Sequence, residues 1–200
     1  MPDLKKAELI ERVVYVPSPV RADHHAAPHA DATGWLTRYR ARTSGVTVLV
    51  EASIRLDLDN LPQPDAAMLL DPHRGGRARI GEDGYVEGAP ELILEVAASS
   101  ASYDLHDKLH AYRRNGVREY LVWRVLDRTL DWFVLRGGHY ELLPPGDDGI
   151  HRSGAFPGLW LDALALLRGD LLRVDEVLAG GLASPEHAAF ADGPTGISGK

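Results

Sequence analysis

Residues 92–123 have the sequence LILEVAASSASYDLHDKLHAYRRNGVREYLVW, and this stretch decides the fold class. Leu92 to Val96 is a compact apolar strand interrupted by Glu95. Residues 104–116 then carry apolar side chains at the i, i+4, i+7 spacing of a helix with one buried face, and they close on an Asn-Gly stop. The following apolar run, residues 117–125, returns as a strand. Strand, helix and strand therefore predict a βαβ unit with parallel strands.

The chain before this unit is predicted to contribute further strands and one long helix. We expect a strand over Val13–Val16, closed by the Pro17-Ser18-Pro19 turn, and a helix over about His25–Arg42. Three segments rich in Val, Ile and Leu follow, and they suggest a meander: Val46–Val50, Ser53–Leu58 and Ala66–Leu70. Residues 71–88, which are rich in glycine and charge, are expected to form an exposed, mobile loop.

After the unit, a hairpin about Gly137-Gly138 and one or two short helices are expected. The predicted fold is α/β, a restriction-endonuclease-like central mixed β-sheet flanked by helices. We expect residues 1–182 to form a single domain and residues 183–200 to be a disordered C-terminal tail.

Composition limits the function classes. The 200-residue chain has no cysteine, so any metal must be held by oxygen or imidazole. Its formal charge of −7 argues against binding nucleic acid by bulk electrostatics, so such contact must be local. One candidate is a basic segment, although a solvated basic face is the commoner explanation of such a segment: Lys108, Arg113, Arg114, Arg118, Arg124 and Arg128.

No apolar stretch approaches the roughly 18 residues of a membrane span, and the N-terminal sequence lacks the apolar core of a secretion signal. We therefore expect a cytoplasmic protein that does not enter a membrane.

Two acidic residues are predicted to lie in apolar, largely buried surroundings. Asp65 follows Pro64 at the head of a strand, and Glu95 has an apolar neighbour on either side. Burying a carboxylate costs several kcal/mol unless a cation or hydrogen-bond donors compensate. A divalent metal is one such cation, and Mg²⁺ is commonly held by one or two carboxylates together with substrate phosphate oxygens. On these residues alone, ordinary ion pairs remain the commoner explanation.

Other side chains are candidates for the same site. Lys108, one turn into the predicted helix, is placed to neutralise a phosphodiester oxyanion or to orient water. Glu51 is a candidate third metal ligand, Asp104 either caps the helix or binds Lys108, and Tyr112 is a packing residue with a polar tip.

The histidines at positions 24, 25 and 29 also invite a metal interpretation, because positions 25 and 29 are one helical turn apart. No HExxH arrangement accompanies them, and exposed histidines at the entry to a helix are ordinary. We therefore expect them to be surface residues.

A longer pattern carries a family resemblance. PDAAMLLDP at residues 64–72 and GYVEGAPELILEV at residues 84–96 are followed by a serine-rich turn, Tyr-Asp-x-x-x-Lys and Gly-Val-x-Glu-Tyr. In order and spacing these motifs resemble the Uma-two family of "putative restriction endonucleases", which is assigned to the PD-(D/E)xK nuclease superfamily. The likeness covers roughly residues 13–143.

The resemblance implies hydrolysis of phosphodiester bonds, with DNA as the substrate and Mg²⁺ or Mn²⁺ as the cofactor. It implies that Asp65 and Glu95 bind the metal and that Lys108 is the catalytic lysine. The superfamily lysine stands two positions after the acid, where this chain has Ala97, so the lysine has moved to the helix. The rival hypothesis is a catalytically silent nuclease fold that serves as an interaction or DNA-binding module, including as a homodimer.

Overall fold

The computed structural model describes residues 7–16, 21–98 and 103–192. Its strands, in chain order, are β1 (Glu8–Ile10), β2 (Val13–Tyr15), β3 (Val46–Val50), β4 (Ile54–Arg55), β5 (Ala66–Leu70), β6 (Arg79–Ile80), β7 (Val86–Glu87), β8 (Leu92–Ala97), β9 (Glu119–Arg124), β10 (Thr129–Arg136), β11 (His139–Leu142), β12 (His151–Arg152) and β13 (Trp160–Leu161). Its α-helices are α1 (Ala27–Ala41), α2 (Leu109–Asn115), α3 (Ala163–Leu167), α4 (Leu171–Leu182) and α5 (Pro185–Asp192). A π-helical turn leads into α1 at Ala22–Ala26 and into α2 at Asp104–Lys108.

A six-stranded mixed sheet in the order β11-β10-β9-β8-β5-β3 forms the centre of the fold. β8 and β9 run parallel, with Glu95 beside Val122, and α2 connects them as the sequence predicts. The other neighbouring pairs in this sheet are antiparallel. The predicted α/β class with a mixed sheet flanked by helices is confirmed.

Helices cover both faces of the sheet, which is why its central strands are apolar on both sides. Along β5, Ala66, Met68 and Leu70 belong to the core that α1 packs against. Ala67 and Leu69 point to the opposite core, which contains side chains of α2 and of the segment between β3 and β8. This alternation follows from the two-residue period of a strand.

The helical segment that contains α2 ends where the sequence predicts but begins earlier. Gly116 takes a left-handed conformation, with φ of 79°, and closes the helix as a glycine C-cap. Tyr103 already has helical backbone angles, so Asp104 lies inside the first described turn and is not the N-cap. The side chain of Asp104 and the serine-rich turn at residues 99–102 lie outside the described part of the chain.

The predicted meander is wrong. β3 pairs directly with β5, and β4 joins a small separate sheet of order β4-β7-β6. The cause is local: Glu51 has a φ of 50°, a left-handed conformation that turns the chain away from the sheet after β3. The prediction of an exposed, mobile loop at residues 71–88 is also wrong. This segment supplies β6 and β7 and buries Ala78 and Val86.

The N-terminal strand prediction is confirmed by β2, which pairs with β1 in a separate hairpin. The proline turn expected at residues 17–19 lies outside the described residues. The expected hairpin about Gly137-Gly138 is confirmed by β10 and β11.

The C-terminal segment is more ordered than its sequence indicated. Within the segment expected to be a disordered tail, Pro185–Asp192 forms α5 and buries His187, whose Nε2 lies 2.9 Å from Thr43 Oγ1. Disorder is therefore wrong for those residues, while residues 193–200 lie outside the described residues. Across the described ranges, every helix is too short or too polar to cross a membrane.

Candidate active site

Asp65 stands at the point where β5 begins beside β8. Ala66, the first residue of β5, pairs with Leu94, so β8 continues past the end of its neighbour. Past the end of β5, the Asp65 side chain replaces a backbone hydrogen-bond partner: its Oδ2 accepts the Val96 N–H at 2.7 Å. Continuing the antiparallel register by one residue places Asp65 opposite Glu95. The two predicted acids therefore lie on neighbouring strands at the same end of the sheet.

Glu95 faces α2 from the middle of β8. Its Oε1 is 2.8 Å from Lys108 Nζ and accepts a hydrogen bond from the Tyr112 hydroxyl at 3.0 Å. Asp65, Glu95 and Lys108 are each only 4% exposed. The structure thus brings together Glu95, Lys108 and Tyr112, three residues that the sequence assigned to the same site.

A fourth charged residue, Glu8, belongs to this cluster and was missed by sequence analysis. Its Oε1 lies 3.1 Å from Lys108 Nζ and accepts the Gln63 N–H at 2.7 Å. Lys108 Nζ also lies 5.4 Å from the centroid of the Tyr103 ring. The available signal was the pattern ELI at residues 8–10, an acid in a short apolar strand like Glu95 in β8.

Two histidines lie against Asp65, so the expectation of ordinary surface histidines is wrong for them. His25 Nε2 is 3.2 Å from Asp65 Oδ1, and His25 Nδ1 is 2.8 Å from the carbonyl oxygen of Val96. His29 Nε2 is 3.0 Å from the carbonyl oxygen of Asp65. The one-turn spacing of residues 25 and 29 was the signal in the sequence. His24, in contrast, lies beside Asp23.

Glu51 reaches Asp65 through its backbone. Its N–H donates to the carbonyl oxygen of Asp65 at 3.2 Å, while its side chain is exposed. Among the described residues, His25, His29 and Asp65 form a group of three possible metal ligands whose donor atoms all lie within 4.8 Å of one another. That group does not include Glu51 or Glu95, so a metal role for Glu51 stays a prediction.

The surroundings adjust the protonation of two of these groups. Burial alone would raise the pKa of Asp65, but His25 and the Val96 N–H outweigh it, so the pKa of Asp65 is lowered. Burial, together with the charge of Glu95, raises the pKa of Tyr112 well above its usual value. Asp65 is therefore an ionised carboxylate at neutral pH, and Tyr112 is a neutral hydroxyl that donates.

Two more buried acids, Glu91 and Glu119, mark the other end of the sheet and have a structural role. Glu91 accepts the N–H groups of Leu70 and Arg77. Glu119 accepts from the backbone of Gly154 and from the side chains of Ser153 and Trp132, among others. Backbone and neutral side-chain donors compensate these carboxylates, whereas Glu95 meets the ammonium of Lys108.

The predicted basic segment does not form one open face. Lys108 is buried, Arg114 pairs with Glu11 and Asp57, and Arg124 pairs with acids in its own hairpin. This finding favours neither a bulk phosphate-binding surface nor a continuous basic groove in this segment.

The donors at the sheet edge fit a hard or borderline divalent ion. Asp65 supplies carboxylate oxygens, and His25 and His29 supply imidazole nitrogens in the same group. Glu95 lies outside that group and would add a carboxylate from the facing position on β8. The chain has no cysteine, so no thiolate competes for the ion.

Comparison with known proteins shows the family and the fold. The model of the Uma2 family, described as "Putative restriction endonuclease", matches residues 1–165. The chain belongs to this family. A crystal structure of a "putative nuclease belonging to DUF820" from Anabaena variabilis ATCC 29413 is similar, with a TM-score of 0.54 and 15% sequence identity. The match covers 80% of this chain and 90% of that chain, and at this identity it shows the fold. No curated protein matches.

Membership of Uma2 indicates a nuclease, which is the coarse function that the sequence predicted. The family match extends beyond the resemblance seen in the sequence, because it includes the N-terminal segment with Glu8 and continues to residue 165.

Proposed function

We propose that this protein is a metal-dependent endonuclease that hydrolyses DNA phosphodiester bonds at the sheet edge between β5 and β8. Uma2 membership supports the reaction class. The observation that carries the proposal is that Asp65 and Glu95, both nearly fully buried, occupy facing positions where β5 begins beside β8, with the Lys108 ammonium 2.8 Å from Glu95.

Asp65 and Glu95 are the residues that would hold Mg²⁺ or Mn²⁺. A divalent ion bound there supplies Lewis-acid polarisation of the phosphodiester and lowers the pKa of water. The chain holds both carboxylates in place: the Val96 N–H fixes Asp65, and the Tyr112 hydroxyl fixes Glu95. Preorganised groups of this kind cost no reorganisation when charge develops in the reaction.

Lys108 supplies the positive charge beside the acids. Its ammonium is held between Glu95 and Glu8, at 2.8 and 3.1 Å. From there it acts on a phosphate oxygen or on an attacking water, as the superfamily lysine does from its usual position. The displaced lysine therefore serves the same sheet edge from α2 that a residue at Ala97 would serve from β8.

Cleavage of supercoiled plasmid DNA tests the proposal. Purified protein with Mn²⁺ or Mg²⁺ should relax or linearise the plasmid, and EDTA should abolish the reaction. Asp65→Asn should lower the rate at least about 100-fold, because the ion loses a ligand. Asp147→Asn makes the same chemical change at an exposed carboxylate and should leave the rate unchanged.

Equal rates for wild type, Asp65→Asn and Asp147→Asn would attribute the cleavage to a contaminating nuclease and overturn the proposal.

A second candidate is a catalytically silent nuclease fold that binds DNA or a partner protein, including a second copy of the chain. The pairing of Lys108 with two carboxylates favours it, because an ammonium held by Glu8 and Glu95 must exchange a partner to reach a phosphate. Calorimetric titration with Mn²⁺ discriminates the two. Binding that Glu95→Gln weakens supports the enzyme, and absence of binding to a folded wild type supports the silent module.

A further inference from the structure

The contact between His25 and Asp65 contains an electrostatic conflict that needs a cation. A carbonyl oxygen can only accept, so the nitrogen of His25 that faces Val96 O, Nδ1, must carry the hydrogen. In a neutral imidazole the other nitrogen, Nε2, then has a lone pair. That lone pair faces Asp65 Oδ1, another acceptor, at 3.2 Å. A proton or a metal ion between the two atoms removes the repulsion.

His29 is oriented in the same way. Its Nε2 lies 3.0 Å from the carbonyl oxygen of Asp65, so Nε2 is its donor. Both imidazoles are thus fixed by a backbone carbonyl at one nitrogen. This is the arrangement that metal-binding histidines commonly have, because the second hydrogen bond sets the tautomer and the ring orientation.

The positions of these residues in the fold make the arrangement rigid. His25 lies in the π-helical turn that continues into α1, and His29 lies one turn further on. The α1 helix packs on the sheet through Trp35 and Leu36, which are buried in the same core as Ala66 and Val96. The imidazoles are therefore held against the start of β5 by the main core.

We propose that His25 and Asp65, joined by His29, bind a first-row transition ion, with Mn²⁺ as the ion that the site takes for its reaction. The site that the sequence predicted has only carboxylate ligands and suits Mg²⁺ as well as Mn²⁺. Imidazole nitrogen shifts the preference toward transition ions, whereas Mg²⁺ favours oxygen ligands. The inference rests on the proposed function for its biological meaning, but metal binding is measured without DNA.

Titration calorimetry of the full chain with Mn²⁺ and, separately, with Mg²⁺ tests the site. Wild type should bind Mn²⁺ at least about tenfold more tightly than Mg²⁺, and His25→Gln should remove that preference, since loss of even an orienting partner costs about 10- to 100-fold. His24→Gln is the matched control: the same substitution one position earlier, beside Asp23, should leave Mn²⁺ affinity unchanged.

Spin-echo modulation spectroscopy of Mn²⁺ bound to wild-type protein gives a readout that needs no variant. Coupling of the ion to imidazole ¹⁴N, lost when the protein is made with ¹⁵N-histidine, is the expected result. Bound Mn²⁺ with no nitrogen coupling would overturn the inference, and so would equal Mn²⁺ affinity in His25→Gln and His24→Gln. In that case the cation between His25 and Asp65 is a proton.

Failure of this inference and failure of the proposed function give different results. A wild type that cleaves DNA but shows no nitrogen coupling keeps the nuclease and loses the histidine site. A wild type that shows the coupling and does not cleave DNA keeps the metal site and loses the nuclease.

Discussion

Lys108 Nζ lies 2.8 Å from Glu95 Oε1, although the two residues are 13 positions apart and belong to different elements. In the superfamily that the sequence resembles, the lysine stands two positions after the acid, on the same strand. Here the helix that follows β8 returns the ammonium to the acid from above the sheet. The ammonium reaches Glu95 because the helical segment that follows β8 packs back over that strand.

Replacing Lys108 tests the stability side of this relationship. Lys108→Met leaves Glu95 and Glu8 without the ammonium they share, and breaking a buried pair in this way should lower the free energy of unfolding by about 3–5 kcal/mol. Arg79→Met removes an exposed ion pair with Glu87 and should cost at most about 1 kcal/mol. Urea denaturation measures both. Equal midpoints for Lys108→Met and wild type would contradict the buried pair.

Tyr112 offers a test of how Glu95 is held. Tyr112→Phe removes a hydrogen bond to a charged acceptor and should cost about 1.5–3 kcal/mol of stability. Tyr140→Phe, in the same cluster, removes a hydrogen bond to the neutral carbonyl of Val117 and should cost about 1 kcal/mol. Thermal or urea unfolding compares the two. A Tyr112→Phe cost no larger than that of Tyr140→Phe would show that the bond to Glu95 has no special weight.

Stability measured over a pH series tests the polar contacts that join Asn115 and Arg114, at the end of α2, to Asp57. Asn115 donates to Asp57 at 2.8 Å, and Arg114 pairs with it at 3.2 Å. Burial raises the pKa of Asp57, but hydrogen bonds from Asn115, Asn60 and the Asp59 N–H outweigh it and lower the pKa to about 2.

In the unfolded chain an aspartate has a pKa of about 3.9, so between these values the unfolded state binds more protons. The stability that Asp57 contributes is therefore complete above about pH 4 and is lost as the pH falls through about 2. The stability difference between wild type and Asp57→Asn should shrink over that window, with Asp147→Asn as the control. A difference that stays constant from pH 6 to pH 2 would contradict the assignment.

The central sheet was largely predictable from the sequence because its strands are short apolar runs bounded by turn residues. β3 and β5 have the predicted bounds, and the unit of β8, α2 and β9 follows from its periodicity. The departure of β4 from this sheet was not predictable, because it depends on the backbone angle of Glu51, which no propensity indicates for a glutamate.

Some residues of the candidate site were likewise predictable from the sequence, and others were not. Asp65 and Glu95 are visible as acids at strand positions, and Lys108 is visible through its spacing from them. Glu8 was not recognised, and His25 was considered as a ligand but set aside, because each reaches the site only after the N-terminal segments pack onto the sheet. A contact of that kind is a property of the tertiary structure: the spacing of His25 and His29 shows that they share a helix face, but not that this face meets Asp65.

A crystal of the full chain grown with Mn²⁺ tests the central claim most directly. We expect an anomalous difference peak at the sheet edge, at bonding distance of about 2.0–2.6 Å from a carboxylate oxygen of Asp65 and one of Glu95. Fully ordered Asp65 and Glu95 side chains with no peak beside them, at a Mn²⁺ concentration that labels other sites, would contradict it.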